Sequence, residues 1–138
     1  MSNKIHFQIT TPERIVFQDD IDSVTLMTEA GEITVLPNHA PIVSNLKAGE
    51  LKLKKDGLES FMAVTGGFIQ VQAKSRVVVL ADSAERAEEI SEEKAEEARQ
   101  RAQAILEEKK LDKAELASAA ALLEKSLTQL KVARRRRR

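Results

Sequence analysis

The sequence predicts a mainly β, α+β fold: a β-sandwich or flattened barrel followed by an antiparallel two-helix hairpin. Three observations predict it. Through Leu80 the chain runs in short stretches where β-branched and other apolar residues alternate with polar ones, the period of a half-buried strand. Turn residues separate those stretches at spacings of about ten residues, as in a sandwich. Beyond Ala81 there is no glycine or proline, and the composition turns to Ala, Glu, Leu, Lys and Arg. The change falls between Leu80 and Ile90, which divides the chain into a β domain, 1–87, and a helical hairpin with a basic tail, 88–138.

The elements follow in order. Ile5, Phe7 and Ile9 alternate as a first strand, Thr11 to Arg14 turn, and Ile15 to Phe17 form a second strand that Asp19 and Asp20 are expected to break. Val24 and Leu26 alternate in a third strand, and Glu29 to Glu32 make a hairpin into Ile33 to Leu36. Pro37 and Pro41 then interrupt, because proline cannot sit inside a central ladder. Further strands are expected over 50–54, 60–64, 66–72 and 76–80, with Lys55 to Gly57 as a turn. Gly66 and Gly67 within that pattern mark a bulge or a close backbone approach. They are no phosphate loop, since no Lys-Ser/Thr follows at the required spacing.

In the second part Ser91 is a weak helix start, because Lys94 stands where a capping box takes Glu or Gln. Ala95, Ala98, Ala102 and Ile105 form a narrow alanine-lined stripe, Glu107 to Lys110 the turn, and Asp112 a cap for the second helix. There Leu116, Ala120, Leu123, Leu127 and Leu130 recur at 4, 3, 4 and 3 residues, a heptad-like seam. Small residues on one helix let the other approach closely, which favours a hairpin. Such a hairpin buries little beyond its own seam, so its docking on the β half is expected to be marginal and open to redirection by another surface.

Composition excludes several functions. With no Cys there is no disulfide, zinc-thiolate site or cysteine nucleophile, and 3% aromatics without Trp or Tyr make a poor stacking platform for nucleic acid. No apolar run approaches the roughly 20 residues of a membrane span, and the first residues lack a signal-peptide pattern, so a cytosolic or matrix-like protein is expected. His6 and His39 have no nearby ligands at metal spacing, and Glu88, Glu89, Glu92 and Glu93 read as a solvated helix face. No catalytic residue, metal site or cofactor is expected. Net charge is zero but polarised: residues 82–97 carry eight acids against two bases, and residues 122–138 carry seven bases against one acid. The two segments can attract each other or seek outside partners.

The run Gly31 to Ile42, with Glu32, Leu36, Pro37, Asn38, His39, Ala40 and Pro41, resembles the loop-strand signature of the ATP synthase epsilon subunit. Gly66 to Val71 resembles its Gly-Gly-Phe-Leu-Glu-Val strand, and Val77 to Ala87 the run that closes its β domain. The resemblance implies a ten-stranded β-sandwich followed by a two-helix hairpin. It implies a non-catalytic central-stalk subunit of the proton-translocating F-type ATP synthase. The sandwich would sit against the gamma subunit and the c-ring, coupling rotation to the catalytic head, with Glu32 and His39 on the surface facing them. This sequence departs at Thr34, where the family usually has glycine.

By the same resemblance the hairpin regulates: folded on the sandwich it permits ATP hydrolysis, and extended toward the alpha/beta head it inhibits. Arg134, Arg135, Arg136, Arg137 and Arg138 would then suit an acidic segment of the catalytic subunits. Some members bind ATP through Ile/Leu-Asp-x-x-Arg-Ala, which falls here on Ile90, Ser91, Lys94 and Ala95. Ser91 lacks the carboxylate and Lys94 lacks the planar fork of arginine, so no tight ATP binding is expected, although Glu85 matches. The implied location is peripheral, on the cytoplasmic face of a bacterial inner membrane or on a thylakoid membrane, without nucleic acid. The competing expectation is a stand-alone β-sandwich interaction module whose hairpin only dimerises.

Overall fold

Strand pairing accounts for the first part of the chain in a computed structural model that describes residues 3–135. The strands are β1 (Ile5–Thr10), β2 (Ile15–Ile21), β3 (Ser23–Thr28), β4 (Gly31–Val35) and β5 (Ile42–Asn45). They continue as β6 (Gly49–Lys55), β7 (Leu58–Thr65), β8 (Phe68–Gln72), β9 (Arg76–Leu80) and β10 (Ser83–Arg86). One sheet has the order β2-β1-β9-β8-β5 and the other β10-β7-β6-β3-β4. All pairs are antiparallel except β1 with β9. A 3-10 turn, Ala87–Glu89, leads to α1 (Glu92–Leu106) and α2 (Lys113–Arg135). The ten-stranded sandwich followed by two helices is the fold the family resemblance implied.

Alternation builds the core. Ile5, Phe7 and Ile9 of β1, Val24 and Leu26 of β3, Leu51 and Leu53 of β6, Ile69 and Val71 of β8, and Val77 and Val79 of β9 all point between the sheets and are buried. Burying such a side chain stabilises by about 1.5–3 kcal/mol, so this layer dominates the fold. Thr28 joins it as a buried polar residue whose hydroxyl donates to the Gly31 carbonyl at 2.7 Å, closing the β3–β4 hairpin.

Four expectations need correction. Asp19 and Asp20 do not end the second strand, which runs on to Ile21 opposite β1. Each carboxylate has a cation or ring beside it, Lys55 at 2.6 Å from Asp19 and His6 at 2.7 Å from Asp20. Pattern alone gave eight strands. β5 is only four residues long after the proline loop, and β10 has helix-like composition but pairs with β7 from Ser83↔Thr65 to Arg86↔Met62. The strand expected from Gly66 begins at Phe68, because Gly66 and Gly67 both have positive φ and turn the chain.

The fourth correction concerns the seam of α2. Leu116 and Leu127 are each 49% exposed and Ala120 is exposed, whereas Ala119, Ser126, Thr128, Leu130, Val132 and Ala133 are buried. Of the expected stripe Leu130 is buried and Leu123 half-buried, so it packs only in part. α2 touches both α1 and the sandwich, and two contacts rotate the buried surface away from a single-seam heptad. The alanine stripe of α1 does face inward, with Ala95 and Ala102 buried. Ser91 caps α1 by accepting from the Lys94 amide, and Asp112 accepts from the Glu115 amide at the start of α2.

Candidate functional site

The surface that joins hairpin to sandwich starts from β7. Met62 and Val64 face the sandwich core, so Phe61 and Ala63 face outward. Against them lie Ala87 and Ile90 from the junction and Val132 and Ala133 from α2, forming a second apolar cluster separate from the main core. Its rim is polar and specific. The Arg135 guanidinium donates twice to the Glu50 carboxylate of β6, at 2.9 and 3.0 Å, and lies 5.1 Å above the Phe61 ring centroid. Glu50 thereby raises the Arg135 pKa above its ordinary value. Gln129 donates to Glu85 of β10. The junction is tied separately to β2: Arg86 donates to the Val16 carbonyl at 2.7 Å, and Arg14, just before the strand, pairs with Glu89 at 2.8 Å.

The antiparallel hairpin sets the acidic start of α1 beside the basic end of α2. A cleft of about 480 Å³ between the helices is lined by Glu96, Arg99, Lys131 and Arg134, among others. Arg99 grips Glu96 and also donates to Gln103 at 2.6 Å. The Glu96 carboxyl is held below its ordinary pKa by Arg99 first, and more weakly by Gln100 and Arg134. Arg134 and Arg135 are thus part of the last turn of α2, with Arg135 engaged inside the molecule. Arg136, Arg137 and Arg138 lie outside the described residues.

The positions matched to a nucleotide motif divide. Ser91, Lys94 and Ala95 line a cleft of about 380 Å³ together with Glu85, Glu89, Lys125 and Gln129, while Ile90 is buried in the docking cluster. Lys125 and Gln129, one α2 turn apart, were not singled out from the sequence; only their spacing on one helix face signals them. The cleft holds two lysines and no arginine, and its Ser91 hydroxyl is engaged as a helix cap.

Glu32 is exposed at the start of β4, on the edge of its sheet, opposite Met27. His39 follows the other end of that strand. The loop there is held by the His39 amide to the Leu36 carbonyl at 3.2 Å and by the His39 Nδ1–H to the Ala40 carbonyl at 2.7 Å. Asn38 has φ 66°, a conformation asparagine tolerates better than most, and its amide donates to the Ser75 hydroxyl at 2.7 Å. The sequence reading missed a further surface. On the outer face of the other sheet, Ile15, Thr10, Leu80 and Phe68 stand in one registered row across β2, β1, β9 and β8. Ile15 is 55% exposed, Leu80 39% and Phe68 37%, and Val43 of the neighbouring row is 68% exposed. The signal was parity: these apolar residues occupy positions that alternate with the core.

Residues 4–87 match the family described as ATP synthase, Delta/Epsilon chain, beta-sandwich domain. An ATP synthase epsilon chain of Dehalococcoides mccartyi is 44% identical over 135 residues, which cover 98% of this chain and 96% of that one. The chain belongs to the ATP synthase epsilon-chain family. The epsilon chain of Bacillus subtilis is 46% identical over 99 residues, covering 72% of this chain and 74% of its own. A chain in the cryo-EM structure of the Euglena gracilis mitochondrial ATP synthase, OSCP/F1/c-ring in rotational state 1, superposes with a TM-score of 0.81. It is 26% identical and covers 96% of this chain and 82% of that chain. As an epsilon chain, the protein is read as an ATP synthase subunit, and these likenesses lend no support to a stand-alone dimerising module. The Dehalococcoides match runs through the hairpin, so the likeness extends beyond the sandwich.

Proposed function

We propose that this epsilon chain is a non-catalytic part of the central stalk, with 1–87 as its fixed unit and 88–138 as its regulatory one. In this reading the sandwich sits on gamma and the c-ring and transmits rotation to the catalytic head, and the hairpin inhibits ATP hydrolysis when it extends toward alpha/beta. The observation that carries it is the separation of the two apolar clusters. The hairpin is held by Ala63, Ala87, Ile90, Val132 and Ala133, none of which belongs to the sandwich core, so it can leave without unfolding the sandwich. Deleting residues 91–138 should leave assembly intact and raise hydrolysis by the complex. Unchanged hydrolysis would reduce the hairpin to a structural part.

The registered row Ile15, Leu80 and Phe68 supplies an apolar surface for gamma, and Glu32 with His39 supplies a polar edge for the ring. Contiguous exposed apolar residues rimmed by polar ones suit a protein partner. Phe68→Asp should then abolish capture of gamma while the isolated chain keeps its melting temperature; retained capture would remove that face from the interface. The chain is peripheral to the membrane that carries the complex, on the cytoplasmic face of a bacterial inner membrane or on a thylakoid membrane. None of its described helices is long and apolar enough to cross. The cleft at Ser91 and Lys94 lacks the guanidinium fork that phosphates favour, so calorimetric titration should show no ATP affinity at the micromolar level.

A further inference from the structure

We infer that Arg135 and Glu50 form a latch that holds the hairpin in its docked position. The inference rests on the reading that the hairpin moves, and it names the contact that opposes the movement. The two residues are 85 apart in sequence and meet only because α2 returns along the outer face of β6 and β7. Both bonds of the fork are formed, at 2.9 and 3.0 Å, and the pair is withdrawn from solvent, Glu50 at 13% and Arg135 at 32% side-chain exposure. The guanidinium also rests on Phe61, itself half-buried against the docking cluster. One planar group therefore closes three contacts in the last described turn of α2, beside the junction that joins the hairpin to the sandwich.

The geometry makes docking and outward engagement mutually exclusive for this residue. A guanidinium that presents its fork to Glu50 cannot present it to a carboxylate of a partner. When α2 leaves, Glu50 and Phe61 return to water and the fork becomes available. The other rim contact, Gln129 to Glu85, carries no opposite charges and cannot replace this one.

The test uses the full chain. It contains no cysteine, so Ala73→Cys and Ala121→Cys give two unique spin-label positions, one on the exposed β8–β9 turn and one on α2. Dipolar distance measurement then reads docked and undocked populations. Glu50→Gln should raise the ratio of undocked to docked chains on the order of tenfold, as expected for loss of a charged hydrogen-bonded pair. Arg135→Lys, which keeps the charge and loses the fork, should shift it in the same direction. The exchanged pair Glu50→Arg with Arg135→Glu should recover much of the docked population. Lys131→Gln removes a cation from α2 without touching Glu50 and should leave the distances unchanged. Glu50→Gln and Arg135→Lys distributions that coincide with the unsubstituted chain would overturn the latch, as would an equal shift from Lys131→Gln. A shift in distance without a change in hydrolysis by the complex would support the latch while counting against the inhibitory role of the hairpin.

Discussion

A β-carbon added to Gly67 would stand 2.0 Å from the Leu80 carbonyl oxygen, and one on Gly66 would strike the Asp82 carboxylate. Both residues also sit at positive φ, 97° and 68°. The β7–β8 turn therefore presses directly on the chain leaving β9. Gly67→Ala should cost on the order of 2–4 kcal/mol, read as a lowered melting temperature of the sandwich. A second residue-scale feature is the charged clasp near the start of β1. Lys4 reaches Asp22 at 2.6 Å and Asp56 at 2.8 Å, while Lys55 reaches Asp19. The Asp22 carboxyl is held below its ordinary value of 3.8, chiefly by Lys4 and then by the Asp56 amide. A carboxyl lowered by folding stabilises above its unfolded pKa and loses that contribution as pH falls through the folded one. Lys4 is raised above 10.5 by the Asp22 carboxylate and then the Asp56 carboxylate, so its share is present below that value and lost as pH rises beyond it. Asp22→Asn should therefore lower the melting temperature near neutral pH and have no such effect once the medium is acid enough to protonate Asp22. An equal effect at both pH values would contradict this assignment.

At the scale of elements, α2 is the part whose two faces matter. Ala102 of α1 is fully buried, so Ala102→Leu should overfill the hairpin and destabilise it by about 1–3 kcal/mol. Faster amide exchange confined to the helices would mark that outcome. Ile90→Ala should loosen docking by about 2–5 kcal/mol and speed exchange in α2 while β1, β8 and β9 stay protected. Legibility followed the same division. Strands with alternating core residues, such as Ile5-Phe7-Ile9, were plain, and so was the alanine stripe of α1. β10 was not, because Ser83 to Arg86 show no run of alternating apolar residues and become a strand only through pairing with β7. The buried face of α2 was also hidden, since its position depends on a second partner that no periodicity encodes. Among site residues, Ser91, Lys94 and Ala95 were found by motif and do share a cleft. Glu50 with Arg135, and the row Ile15, Leu80 and Phe68, were invisible for one reason: each is assembled by long-range register rather than by neighbours in sequence.

For the whole molecule, zero net charge conceals an internal dipole that the hairpin folds back on itself. Closure of the hairpin brings Arg134 near enough to act on Glu96, and docking sets Arg135 against Glu50, so two of the basic residues are offset inside the molecule. Undocking would break the second of these and leave Arg135 without its carboxylate. The parallel pairing of β1 with β9 has a consequence for how the chain is made. β1 lies inside its sheet, between β2 and β9, and His6 stands opposite Arg76. A nascent chain must therefore hold its first strand half-paired until some seventy residues more have left the ribosome. The hairpin, built from local contacts and synthesised after the sandwich, meets a β domain whose final strand has only just closed. Birth order alone thus delivers α2 to a finished platform.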